Sequence, residues 1–116
     1  MKILVVDDDD AIRSVLRIAL SVDDAVGEVR DARDGRDALR VVRDFEPDIV
    51  LLDFWMPVMD GREVAERIRV ARPGALIVAF SGVLDDRPEW ADHLCVKGEL
   101  PDIPSLVRLL EIDAAS

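Results

Sequence analysis

The chain has 116 residues, enough for one domain around a single core, and its balance of 50% apolar and 34% charged residues is that of a globular protein. A net charge of −10 at pH 7 repels a phosphate backbone, which argues against direct nucleic-acid contact by this domain. No apolar run approaches the ~20 residues that span a bilayer, and the short apolar start that stops at Asp7 lacks the longer apolar stretch and cleavage site of a secretory signal, so the expectation is a cytoplasmic domain with no membrane contact.

Strand and helix patterns alternate along the whole chain. Ile3-Leu4-Val5-Val6 is continuously apolar, as befits a strand covered on both faces. Asp9 or Asp10 caps the helix that follows, in which Ile12, Val15, Leu16, Ala19 and Leu20 recur at helical spacing. Val26 to Ala32 reads as a strand interrupted by Glu28, Arg30 and Asp31, which suits a sheet edge. Asp34, with Asp37 three residues on, opens a second helix whose inward residues are Ala38, Leu39, Val42 and Phe45. Pro47 separates it from a third strand, Ile49 to Leu52.

Asp60 and Glu63 form a capping pattern for a third helix using Val64, Ala65 and Ile68, and Pro73-Gly74 ends it. Ala75 to Phe80 is the fourth strand. Asp85 to Asp92 is short and poorly periodic. Leu94 to Val96 is the fifth strand, on which the single cysteine, Cys95, is expected as a small buried hydrophobe. Pro101 introduces a last helix with Ile103, Leu106, Val107 and Leu110 inward, and residues 113–116 form a frayed tail.

These βα units predict one domain over residues 1–116, an α/β fold with a doubly wound, five-stranded parallel sheet. Order 2-1-3-4-5 follows from placing the uniformly apolar strands 1, 3 and 4 at the centre. That topology has a chemical consequence. Asp7 and Asp8 follow the first strand, Asp53 the third, Ser81 the fourth and Lys97 the fifth, so all converge on the carboxyl edge where α/β proteins build their sites. Each has a bland reading as a cap or turn residue; the conjunction at four strand ends argues for a site.

Clustered carboxylates repel, and a cation relieves them. Hard oxygens with room for water suit magnesium. An ionised Asp53 beside such a metal can attack phosphorus and become an acyl phosphate without a general base. Lys97 supplies positive charge to a phosphoryl oxygen and Ser81 a hydrogen bond.

The pieces Lys2-Ile3-Leu4-Val5-Val6-Asp7-Asp8-Asp9, Asp34-Gly35-Arg36-Asp37-Ala38-Leu39, Pro47-Asp48-Ile49-Val50-Leu51-Leu52-Asp53, Met56-Pro57, Asp60-Gly61, Ser81 and Lys97, in this order, resemble the receiver domain of two-component response regulators. The resemblance implies a flavodoxin-like fold. It implies Asp53 as phosphoacceptor, Asp8, Asp53 and the backbone carbonyl of Trp55 as magnesium ligands, and Asp7 acting through a metal-bound water. Ser81 becomes the switch hydroxyl and Lys97 the phosphate-contacting lysine. The donor is a phosphohistidine on a sensor histidine kinase or phosphotransfer protein, not His93 of this chain. The domain then catalyses only its own phosphotransfer and dephosphorylation, and homodimerisation is left open.

The sequence departs from that family in four places. Leu94 stands where an aromatic switch residue is usual, and Gly98 where proline follows the lysine. The interval from Ser81 to Lys97 is short by roughly one and a half helical turns, so the fourth helix must be shortened or irregular. Trp55 borders the expected phosphate position, where it could shield the acyl phosphate. These departures predict an altered output face. Two other readings fit parts of the pattern: a receiver-like interaction module that works without phosphorylation, and a phosphatase of the haloacid-dehalogenase type, which expects an acid where Trp55 stands.

Overall fold

The computed structural model describes residues 1–53, 60–81 and 86–96. Within them the elements are β1 (Lys2–Val6), α1 (Asp10–Ser21), β2 (Glu28–Ala32), α2 (Gly35–Phe45), β3 (Ile49–Asp53), α3 (Gly61–Ala71), β4 (Leu76–Ser81) and β5 (His93–Val96). All pairings are parallel and the strand order is β2-β1-β3-β4-β5, as predicted.

The two-residue period of the central strands sorts their side chains into two cores. Leu4, Val6, Val50, Leu52, Ile77 and Ala79 face one way, where Ala38, Val42 and Phe45 of α2 and Val64, Ala65 and Ile68 of α3 meet them. Ile3, Val5, Ile49, Leu51, Val78 and Phe80 face the other way, against Leu16 and Leu20 of α1. Each fully buried aliphatic side chain contributes on the order of 1.5–3 kcal/mol, so β1 and β3, buried on both faces, anchor the edge where the acids emerge. Among the described residues no helix is long and apolar enough to cross a membrane.

The helix starts follow their caps. Asp9 Oδ1 accepts the N–H groups of Ala11 (2.8 Å) and Ile12 (3.3 Å). Asp34 Oδ1 accepts the Asp37 N–H at 2.8 Å, and Asp37 Oδ2 reaches back past the cap to accept the Arg33 N–H at 3.2 Å, a variant of the capping box at the start of α2. Asp60 Oδ1 accepts the Arg62 N–H at 3.1 Å, whereas Glu63 turns to Arg67 one turn on.

Some boundaries and faces differ from expectation. β2 begins at Glu28 rather than Val26, because the Val26 N–H closes a turn onto the Asp23 carbonyl and the Gly27 N–H bonds the Met1 carbonyl. Val15, at helical spacing with the core residues, lies on the outer side of α1 and is 60% exposed. Cys95 is half-buried against the α1-side core rather than enclosed, and His93 is exposed at the start of β5.

Between β4 and β5, residues 86–92 contain no helix, only a single turn closed by the Ala91 N–H on the Pro88 carbonyl at 3.1 Å. The expected shortening of the fourth helix is thus strong over this stretch. Trp90 lies on α3, so close that a Cβ at Gly61 would stand 2.8 Å from its ring. Arg69 donates to the Trp90 carbonyl at 2.9 Å. Asp92 bonds Ile77 of β4 twice, accepting its N–H at Oδ2 (2.9 Å) and donating its own N–H to the Ile77 carbonyl (2.8 Å). The expected last helix from Pro101, with the tail 113–116, lies outside the described residues.

Candidate functional site

Register brings the acids together. Val6 of β1 pairs with Leu52 of β3, so Asp7 and Asp53, each one residue further, leave the sheet side by side. The chain turns at Asp7, whose N–H donates to the Ala32 carbonyl of β2 at 3.1 Å. One carboxylate oxygen from each of Asp7, Asp8 and Asp53 lies within 4.8 Å of the others. Asp7 is 1% and Asp53 2% exposed, while Asp8 faces solvent. Asp7 Oδ1 also accepts the Asp9 N–H at 2.9 Å, which fixes the turn into α1.

A residue the sequence reading passed over supports this turn. Arg13, one turn into α1, donates to the Asp7 carbonyl at 2.7 Å and to Asp31 Oδ2 of β2 at 3.0 Å, and pairs with Asp10. It ties the ends of β1 and β2 to the first turn of α1. The signal was present in the spacing of Asp10 and Arg13 at i, i+3; its contact with Asp31 required the strand pairing.

The remaining predicted residues are reached only in part. Asp53 pairs with Phe80, and Ser81, the last residue of β4, pairs with Val96, the last of β5. Ser81 therefore closes β4 at the same edge as Asp53. Lys97, Trp55 and Gly98 lie outside the described residues. Leu94 is half-buried against the α2–α3 core, beside Trp90 and Ala91 in the same cluster.

Chemically, three convergent carboxylates offer hard oxygen donors and concentrated negative charge at the mouth of two buried strands. That donor set fits magnesium, which binds through few carboxylates and keeps several waters. No soft or imidazole donor joins the cluster among the described residues.

Comparison with known proteins gives a consistent result. Residues 3–94 match the family described as response regulator receiver domain. The protein-glutamate methylesterase/protein-glutamine glutaminase of Halalkalibacterium halodurans is 40% identical over 81 residues, covering 70% of this chain and 23% of that protein. The response regulator MprA of Mycolicibacterium vanbaalenii is 46% identical over 69 residues, covering 60% of this chain and 29% of that protein. The chain spans from 21% to 42% of the length of such relatives. Among solved structures, the chemotaxis protein CheY4 of Vibrio cholerae superposes with a TM-score of 0.76 at 28% identity, covering 95% of each chain. A CheY-like receiver domain protein of Methanospirillum hungatei shares the fold with a TM-score of 0.82 at 24% identity, covering 98% of this chain and 96% of that one.

Proposed function

The chain belongs to the response regulator receiver domain family of two-component signalling, and from that premise we propose that it accepts a phosphoryl group on Asp53 from the phosphohistidine of a sensor histidine kinase or phosphotransfer protein. The observation that carries this reading is the convergence of Asp7, Asp8 and Asp53, with the acceptor carboxylate buried at a strand end.

In the reaction a carboxylate oxygen of Asp53 attacks phosphorus. The phosphorus–nitrogen bond to the donor imidazole breaks and its electron pair returns to the ring, leaving an acyl phosphate on Asp53. Burial of Asp53 removes competing water from the nucleophile, and the strand fixes its direction of approach. Receiver domains characteristically take magnesium on acidic residues. Here Asp7, Asp8 and Asp53, with the Trp55 carbonyl, would hold it, and it would neutralise charge on the phosphoryl oxygens. Ser81 would donate a hydrogen bond, and Lys97 a charge-assisted one, to the transferred group. Asp7 and Arg13 act on position, holding the β1 turn that presents Asp8.

The donor must reach the carboxyl edge, and α1 starts there. Its outer stripe of Val15, Ile18 and Val22 is 60%, 69% and 78% exposed, an apolar surface that a donor protein would cover as it approaches Asp53. Such a reaction belongs in the cytoplasm, where the kinase draws on nucleotide.

The output face is altered. Residues 86–92 form no helix, and Leu94 replaces the aromatic whose movement would report on the site. The receiver surface on this side is therefore built from the Trp90 segment.

The intact mass of the protein, measured before and after incubation with acetyl phosphate, tests the assignment. The expected result is a gain of one phosphoryl group that requires magnesium and is abolished in Asp53→Asn. Labelling that persists in that variant would move the acceptor elsewhere. An unlabelled wild-type protein with magnesium present would favour the phosphorylation-independent interaction module.

A further inference from the structure

The surface is acidic as a whole, with 25 acids against 15 lysines and arginines. One helix face runs against this. Arg36, Arg40 and Arg43 recur at i, i+4 and i+7 on the side of α2 away from its buried residues Ala38, Val42 and Phe45. Arg33 stands just before the cap Asp34. All four arginines are exposed. Every arginine of α1, β2 and α3 faces a carboxylate. On α2 Arg40 does so, with Asp37 at 2.5 Å. Arg33, Arg36 and Arg43 form no ion pair among the described residues.

Arg33, Arg36 and Arg40, with Asp34 and Asp37, line a cleft of about 370 Å³. Both acids are engaged within the helix start: Asp34 receives the Asp37 N–H, and Asp37 receives the Arg33 N–H and the Arg40 guanidinium. The Arg33 and Arg36 guanidiniums make no ion pair in the cleft among the described residues; Arg33 exerts only a longer-range attraction on Asp37. Asp44, four residues after Arg40, is exposed and bounds the basic stripe at its far end.

We propose that this α2 face is a docking surface for an acidic segment of a partner protein, whose Asp or Glu carboxylates pair with Arg33 and Arg36. Guanidinium presents a planar fork of donors that matches a carboxylate. From Arg36 to Arg43 the stripe runs ~10 Å along the helix axis at 1.5 Å per residue, and Arg33 extends it. That length exceeds a single anion and fits carboxylates spaced along a peptide. The net negative charge selects peptide over nucleic acid. Salt screens charge interactions beyond about 8 Å at physiological ionic strength, so a short segment confined to the stripe feels the arginines above all. A duplex, with a charge every ~1.7 Å, would extend onto the acidic surface around it. The surface uses none of the groups assigned to phosphoryl transfer and stands apart from that reading.

The test is an NMR titration of the isotope-labelled full chain with a synthetic glutamate-rich peptide of about three helical turns. The expected result is amide shifts centred on residues 33–43, weakening as salt rises. Affinity should drop roughly tenfold in Arg33→Gln/Arg36→Gln, the effect of losing about one charge-assisted hydrogen bond. The same loss is expected in Arg36→Glu. Both variants should unfold at the wild-type temperature, since neither side chain holds an ion pair among the described residues. Shifts centred elsewhere, no shifts, affinity unchanged in both variants, or tighter binding of a DNA duplex than of the peptide would each overturn the proposal.

Discussion

The β1–β3 edge and the β4–β5 connection belong to one sheet but are built by different means. At the first, two strands buried on both faces end in acids, and local bonds (Asp7 to the Asp9 N–H, Asp9 to the first turn of α1) complete the geometry. At the second, residues 86–92 form no helix; a single turn, closed by the Ala91 N–H on the Pro88 carbonyl, is held in addition by remote partners. Trp90 rests on Gly61, Arg69 reaches the Trp90 carbonyl, and Asp92 occupies both hydrogen-bonding groups of Ile77 just before β5 begins. The described part of this crossover, residues 86–92, is thus secured by a strap of side-chain-to-backbone bonds and not by an amphipathic helix. The strap depends on individual residues in a way the helix does not.

The sharpest way to break this contrast is to load the site with beryllofluoride and magnesium and follow backbone amides by NMR. The proposed alteration of the output face predicts strong shifts at Asp7, Asp8 and Asp53 without the usual family pattern of propagation through residues 82–96. Propagation in that pattern would mean that the strap serves as an ordinary fourth helix. Next in size is Gly61→Ala. Its methyl group would meet the Trp90 ring at 2.8 Å, and overpacking of this kind costs about 1–3 kcal/mol. Denaturant midpoints should show that loss, and Trp90→Leu in the same chain should recover most of it.

Asp92→Ala removes the acceptor of the Ile77 N–H. The expected loss is about 1–2 kcal/mol, with amide exchange accelerated at Ile77. An unchanged exchange rate would show that the strap does not protect β4. The smallest effect falls at the start of α2. Burial alone would push the Asp37 carboxyl up, but the Arg40 guanidinium and the Arg33 N–H outweigh it and hold it below the usual carboxylate value. Its contribution to stability is therefore complete above the ordinary carboxylate range and is lost as pH falls through the lowered folded value. Asp37→Asn should flatten that part of the acid limb of the stability curve, measured by urea unfolding at several pH values.

Much of the fold was legible because its signals are local. Continuous apolar runs announced β1, β3 and β4, and Asp9, Asp34 and Asp60 announced the starts of α1, α2 and α3. The convergence of Asp7, Asp8 and Asp53 followed from strand order, which apolarity alone suggested. Arg13 and Trp90 were not legible, since their roles depend on Asp31 and Gly61, 18 and 29 residues away in sequence. Val15 was misleading for a related reason. Helical spacing gives a stripe, but only the width of the sheet beneath decides where the buried stripe ends.

By itself, then, the sequence determined which segments become strands and helices and which residue types stand at each strand end, because backbone preference, capping and apolar periodicity act over a few neighbours. Tertiary structure alone decided how near those ends come, that Arg13 and Arg17 reach Asp31 and Arg69 reaches Asp92, and that Trp90 occupies the space beside Gly61. Those outcomes depend on parallel register and the packing of distant segments, which no short stretch of chain encodes.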